Sequence, residues 1–176
     1  MRVFAVMAAV SLSAPPAALP VSFSESFVAG QVSVIDGDTL HMHGRKIRLY
    51  GVDAPESGQT CQTATGENWR CGQKAALALS DHIGRANVKC RAKATDRYGR
   101  TVAICHSKGR SLNAWLVRHG WALAYRQYGG GIYSREEHDA RQHGRGVWRG
   151  PFDKPWDWRK GKRTRPLAWR EAPEAS

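Results

Sequence analysis

The sequence predicts a mainly β, α+β domain, and three observations predict it. Short runs of apolar and β-branched residues recur between turn signals in two groups, 31–52 and 87–106. One stretch with helical periodicity separates the two groups, and two more follow them. Hydrophobic residues make up 41% of the 176 positions, enough for one core in a chain of single-domain length. Five short strands with a helix between the third and fourth, three helices in all, are the outline of an OB-fold, a five-stranded Greek-key barrel.

Residues 1–30 read as leader and linker. Met1–Pro20 has one arginine, an apolar run of about a dozen residues, then small residues and prolines. This is the pattern of a signal peptide and is too short to span a bilayer. It predicts an exported protein, periplasmic or secreted. The domain proper is expected over 31–150, with a basic Trp- and Pro-rich tail over 151–176.

Gln31–Ile35, Thr39–His43 and Lys46–Val52 read as a three-stranded meander, with turns at Asp36-Gly37 and Gly44-Arg45. Residues 57–72 form a polar loop bracketed by Cys61 and Cys71. Gln73–Ile83 reads as a helix, with Ala75, Ala76, Leu79 and Ile83 on one stripe and Gly84 as its stop. Asn87–Ala94 alternates Val88, Cys90, Ala92 and Ala94 against polar residues, and Thr101–His106 returns after the turn at 95–100. If Asp96 faces Gly99 across a two-residue turn at Arg97-Tyr98, Cys90 falls opposite Cys105, close enough for a bridge. Ser111 caps a helix running to His119, Gln127–Tyr133 reads as a flexible loop, and Ser134 with Glu137 has the form of a capping box for the last helix. Phe152, Trp156 and Trp158 are expected to pack back on the domain.

Four cysteines with no Cys-x-x-Cys favour disulfides, Cys61–Cys71 and Cys90–Cys105, over a structural zinc site in an exported chain. The formal charge of +12, with pI near 10.1, calls for a polyanionic partner: nucleic acid, an anionic membrane surface or an acidic glycan.

The densest chemistry lies between Val34 and Glu56. Asp38, Asp53 and Glu56, with Arg48 among them, are separated by apolar β-formers. Carboxylates at strand ends suit a hard cation, which prefers oxygen ligands. A second group, Asp96-Arg97-Tyr98-Gly99-Arg100, supplies another arginine. Two guanidiniums match phosphate oxygens, and a carboxylate can orient or deprotonate a water. Asp36 reads as a turn or support residue, and His41 and His43 as solvent-facing strand positions.

Four segments in order, Ile35–Thr39, Arg48–Glu56, Asp96–Arg100 and Leu112–Gly120, together resemble the staphylococcal-nuclease (thermonuclease) family, with coverage from about Val32 to Trp148. The resemblance implies an OB-fold barrel and a calcium-dependent nuclease acting on DNA and RNA, as a monomer. By position it implies Asp38, Asp53 and the backbone carbonyl of Ala54 as calcium ligands. It likewise implies Glu56 acting on the attacking water and Arg48 and Arg100 clamping the phosphate. Tyr98 and one of Tyr125 or Tyr128 resemble residues lining the nucleotide pocket. The cysteines, the Gly129-Gly-Gly131 segment and the basic tail depart from the family pattern. The competing readings are a non-catalytic module of the same fold that binds single-stranded nucleic acid, and a zinc-stabilised structural domain.

Overall fold

The computed structural model describes residues 27–162. The leader pattern and the end of the basic tail lie outside the described residues. The chain is α+β and mainly sheet. It begins with β1 (Phe27–Gly30), β2 (Ser33–Asp36), β3 (Thr39–Met42), β4 (Arg45–Leu49) and β5 (Val52–Asp53). A small hairpin, β6 (Cys61–Gln62) and β7 (Asn68–Trp69), precedes α1 (Cys71–Ile83). Then come β8 (Val88–Thr95), β9 (Thr101–Ser107), β10 (Arg110–Ser111), α2 (Leu112–Arg118) and β11 (Leu123–Ala124). The short α3 (Arg126–Gly129), α4 (Ser134–Gln142), a 3₁₀ turn at Gly146–Arg149 and α5 (Pro155–Trp158) complete it. Three helices carry the expected stretches, and the short ones add to them.

The main sheet runs β1-β8-β9-β4-β3-β2, with β10 on β9. The meander β2-β3-β4 is antiparallel as expected, and β4 meets β9 in parallel. The sheet curls into the half-barrel of an OB-fold, and α1 lies against β2. Ala75, Leu79 and Ile83 are buried, and the Gly84 N–H donates to the Ser80 carbonyl to end α1. Phe27–Gly30, assigned to the linker from sequence, pairs with Arg91–Val88 as an added edge strand.

Both disulfides are formed, Cys61–Cys71 and Cys90–Cys105, so all four cysteines are consumed and the zinc reading falls. The Cys90–Cys105 register holds because two one-residue offsets cancel. Asp96 N–H donates to the Arg100 carbonyl, and Gly99 adopts φ 76°, so the turn has three residues rather than two. A bulge between Ala92 and Ala94 then restores the pairing of Cys90 with Cys105. The same bulge turns Ala94 outward against the expected alternation.

Other local readings need correction. Lys46–Val52 is not one strand. Gly51, at φ 73°, turns the chain after β4, and Val52–Asp53 pairs with β11 instead. The Gly129 segment is not a free loop: Arg126–Gly129 is helical, and a Cβ on Gly129 would lie 2.6 Å from the Gly51 Cα, so two backbones touch there. Ser134 does not cap α4, whose N-cap is Tyr133. Glu137 turns away from its own helix end and accepts the backbone N–H of Ala124 at 3.0 Å. Ser111 does cap α2, accepting from the Ala114 N–H.

Asn113 joins the pieces. Fully buried, it accepts the Cys105 N–H at 3.0 Å and donates to the carbonyls of Tyr50 at 2.9 Å and Ala103 at 3.3 Å. It therefore ties α2 to β9 and to the corner after β4.

Candidate functional site

The acids meet at one end of the meander. Asp38 follows the β2–β3 turn, where the Asp36 carboxylate accepts its N–H at 3.0 Å, the support role expected of Asp36. Gly37 allows the turn to press on the next segment, since a Cβ there would lie 2.6 Å from that of Ala54. The Ala54 N–H donates to Asp38 Oδ2 at 3.0 Å. Asp53, at the end of β5, is fully buried. Arg48 on β4 bridges the two, with Nη1 at 2.8 Å from Asp38 Oδ1 and Nη2 at 2.6 Å from Asp53 Oδ1.

Glu56 follows Pro55 and is held through its backbone. Its N–H donates to Gln59 Oε1 at 3.2 Å, and the Gln59 N–H returns to the Glu56 carbonyl at 2.7 Å. Gln59, fully buried, also donates from Nε2 to the Asp153 carbonyl at 2.7 Å. The N-terminus of α1 passes so close that a Cβ on Gly72 would lie 1.7 Å from the Glu56 carbonyl oxygen. Only glycine fits there. The Cys61–Cys71 bridge fixes the same corner.

Arg100 stands across the cleft at the base of the β8–β9 turn. Its Nε donates to Asp96 Oδ2 at 2.7 Å, which leaves the two terminal nitrogens of the fork outside this bond. Tyr98 at the turn tip is exposed, with the Arg100 guanidinium 5.4 Å from its ring centre. Tyr125 and Tyr128 lie together with ring centres 5.2 Å apart.

One cleft of about 810 Å³ joins these groups. Asp38, Arg48, Ala54, Glu56 and Arg100 border it, as do Tyr98, Tyr125 and Tyr128. Asp53 lies beneath, reached through Arg48. Every side chain singled out in the sequence for the site is therefore brought to one place. A second cleft of about 460 Å³ adjoins, sharing Tyr125, Trp156 and Lys160 with the first and adding Arg126, Arg141 and Lys154.

The electrostatics of the acidic half follow from burial. Burial pushes the Asp38 carboxyl up to about 7; Arg48 opposes this, while Asp36 and Asp53 add to it. Burial also works against the Arg48 charge, but Asp38 and Asp53 outweigh it and hold Arg48 above its ordinary value. On the far side, burial is the largest single influence on Asp96 and raises it, but the side chain and N–H of Arg100 and the N–H of Tyr98 together outweigh it, so its carboxyl stays below the usual range.

The tail supplies what the sequence reading missed. Phe152 is buried as expected, and Trp156 stacks on Tyr125 with ring centres 5.3 Å apart. The segment delivers Arg159 into the acids. Its Nη1 lies 2.6 Å from Glu56 Oε1 and 3.1 Å from Asp53 Oδ1, and its Nη2 lies 2.7 Å from Asp53 Oδ2. As the side chains stand, no three Asp, Glu, His or Cys groups among the described residues converge as a metal-ligand set, because arginine forks sit between the carboxylates. The donor set is nonetheless hard oxygen, and a cationic group already bridges Asp53 and Glu56. Both facts fit a hard cation, which prefers oxygen ligands, at these carboxylates. No signal in the chain before residue 150 points to Arg159 or Gln59.

The sequence profile described as staphylococcal nuclease homologue matches residues 46–150. The chain belongs to this family. Among curated relatives, the succinoglycan biosynthesis protein ExoI of Rhizobium meliloti is 37% identical over 124 residues, covering 69% of this chain and 65% of that protein. An uncharacterized endonuclease of Haemophilus influenzae is 34% identical, covering 73% of this chain and 71% of its own length. The micrococcal nuclease of Shigella flexneri is 32% identical over 151 residues, covering 76% of this chain and 80% of that enzyme. The family match ends at Gly150, so α5 and Arg159 lie beyond it.

Proposed function

We propose that this chain is a calcium-dependent endonuclease that hydrolyses phosphodiester bonds of DNA and RNA with little sequence specificity. The observation that carries the reading is the single cleft bordered by Asp38, Arg48, Glu56 and Arg100 in a protein of charge +12. Asp38, Asp53 and the Ala54 carbonyl hold the cation, which supplies positive charge to the phosphoryl oxygens. Arg48 and Arg100 neutralise the phosphate from opposite sides and stabilise the charge that builds in the transition state. Glu56 orients the attacking water or takes its proton. A new P–O bond forms from that water as the bond to the leaving oxygen breaks, and the leaving oxygen takes up a proton. Tyr98, with Tyr125 or Tyr128, offers ring faces to bases, contacts that tolerate any base. A longer strand continues past Tyr125 and Trp156 into the second cleft, where basic side chains meet its backbone. The disulfides fit an oxidising compartment, so on this reading the protein acts after export, in the periplasm or outside the cell.

The test is incubation of the purified protein with plasmid DNA and single-stranded RNA, first with calcium and then with a chelator. Cleavage of both that the chelator abolishes is the expected result. Cleavage that ignores the chelator would sink the calcium assignment. Tight binding without cleavage under any divalent ion would favour the non-catalytic binding module.

A further inference from the structure

The tail segment that follows the family's matched region is anchored at several points. Gln59 holds the Asp153 carbonyl, Phe152 is buried beside Trp148, and Trp156 stacks on Tyr125. The Arg159 N–H closes on the Pro155 carbonyl at 3.0 Å. Arg159 is thus delivered to its position by folded structure. There it makes three charge-assisted hydrogen bonds with Asp53 and Glu56.

The charge count gives this contact its meaning. Asp38, Asp53 and Glu56 carry three negative charges when ionised, and Arg48 returns one positive. That leaves two negative charges, the complement of a divalent cation. Arg159 supplies one positive charge to the same carboxylates. A carboxylate oxygen whose lone pairs accept a guanidinium is not free to ligate a metal in the same direction. Asp53 receives both Arg48 and Arg159 on Oδ1, and Arg159 again on Oδ2.

We propose that Arg159 is a built-in, displaceable counter-cation that competes with the divalent cation for Asp53 and occupies Glu56 while it does so. The inference rests on the calcium reading above and deepens it. In the absence of metal, Arg159 offsets part of this negative charge and holds the tail segment against the acids. Divalent cation displaces it, and by reciprocity the metal weakens the tail contact by the factor by which the tail weakens the metal. The side chain is partly exposed, at 36%, so it can leave without unfolding its surroundings.

The test is calcium titration of the full chain by calorimetry, comparing wild type with Arg159→Ala and Arg159→Lys, alongside thermal melts in chelator and in saturating calcium. Competition predicts that Arg159→Ala binds calcium about tenfold tighter, with Arg159→Lys between it and wild type. It also predicts that Arg159→Ala melts lower than wild type in chelator, and that calcium removes the difference. A plain structural clamp would instead lower the melting temperature equally in both conditions and leave calcium affinity unchanged, which would overturn the proposal. Failure of wild type and both variants to bind calcium at millimolar concentration would overturn this inference and the calcium reading together. Tighter calcium binding by Arg159→Ala, with no cleavage by any of the proteins, would sustain the competition while sinking the nuclease reading.

Discussion

The two sides of the cleft are built in opposite ways. The acidic side draws Asp38, Arg48, Asp53 and Glu56 from separate segments and ties them through buried contacts to α1 and the tail. The arginine side is one hairpin turn, where Arg100 is held by Asp96 four residues away and Tyr98 is exposed. A cation site needs several donors held at fixed distances against their mutual repulsion, so it demands long-range scaffolding. A phosphate clamp needs one fork that can adjust to a strand, so a local pair suffices. The acidic side is the more sensitive to its surroundings, and the arginine side to its own sequence.

The largest expected effect comes from removing the two groups of the acidic side that the proposed function places in the chemistry. Arg48→Ala and Glu56→Ala should each lower turnover by about a thousandfold or more at saturating substrate. A rate within threefold of wild type for either would remove that residue from the chemistry.

Next comes the brace beneath the arginine hairpin. The bridge from Cys90 to Cys105 spans 15 positions, so the paired Cys90→Ala and Cys105→Ala variant should lose about 3 kcal/mol in chemical denaturation. Activity per folded molecule should fall less than for Arg48→Ala. A smaller effect is expected at Asn113, the link between the two sides. Asn113→Ala removes the partner of the buried Cys105 N–H and of the Tyr50 carbonyl, while the Ala103 carbonyl keeps the Tyr50 N–H, for a loss of about 2 kcal/mol.

The smallest effect concerns pH. The Asp96 carboxyl is held below its ordinary value in the fold, so its contribution to stability is present above the unfolded pKa, near 4, and is lost as pH falls through the folded one. Asp96→Asn should therefore lower the melting temperature slightly at pH 7 and leave it unchanged at strongly acidic pH. An equal loss at both would mean that Asp96 acts through packing alone.

Much of this was legible in the sequence because it is local. Asp-Gly and Gly-Arg turns placed the meander, apolar spacing placed α1, and Ser111 marked the start of α2. The family segments bring Asp38, Arg48, Ala54, Glu56, Tyr98 and Arg100 to one cleft, with Asp53 beneath it. A two-residue turn predicts the Cys90–Cys105 pairing; the turn has three residues, and the bulge between Ala92 and Ala94 cancels that one-residue offset. What stayed hidden depends on distant partners. Glu137 was expected to serve its own helix end but serves the Ala124 N–H, since β11 needs an acceptor there. Gln59 looks like any loop glutamine until Asp153 arrives from 94 residues away. Arg159 is one of several basic residues in the tail with no local mark to single it out, and the packing of Phe152 and Trp156 carries it to Asp53.

The central claim is that the two sides act on one phosphate. Its most direct measurement is a double-mutant cycle on turnover with Arg48→Ala, Arg100→Ala and the pair. Groups that act as a unit are non-additive, so the double variant should be about as slow as the slower single variant. Losses that multiply in full would show two independent contributions and contradict the single split site.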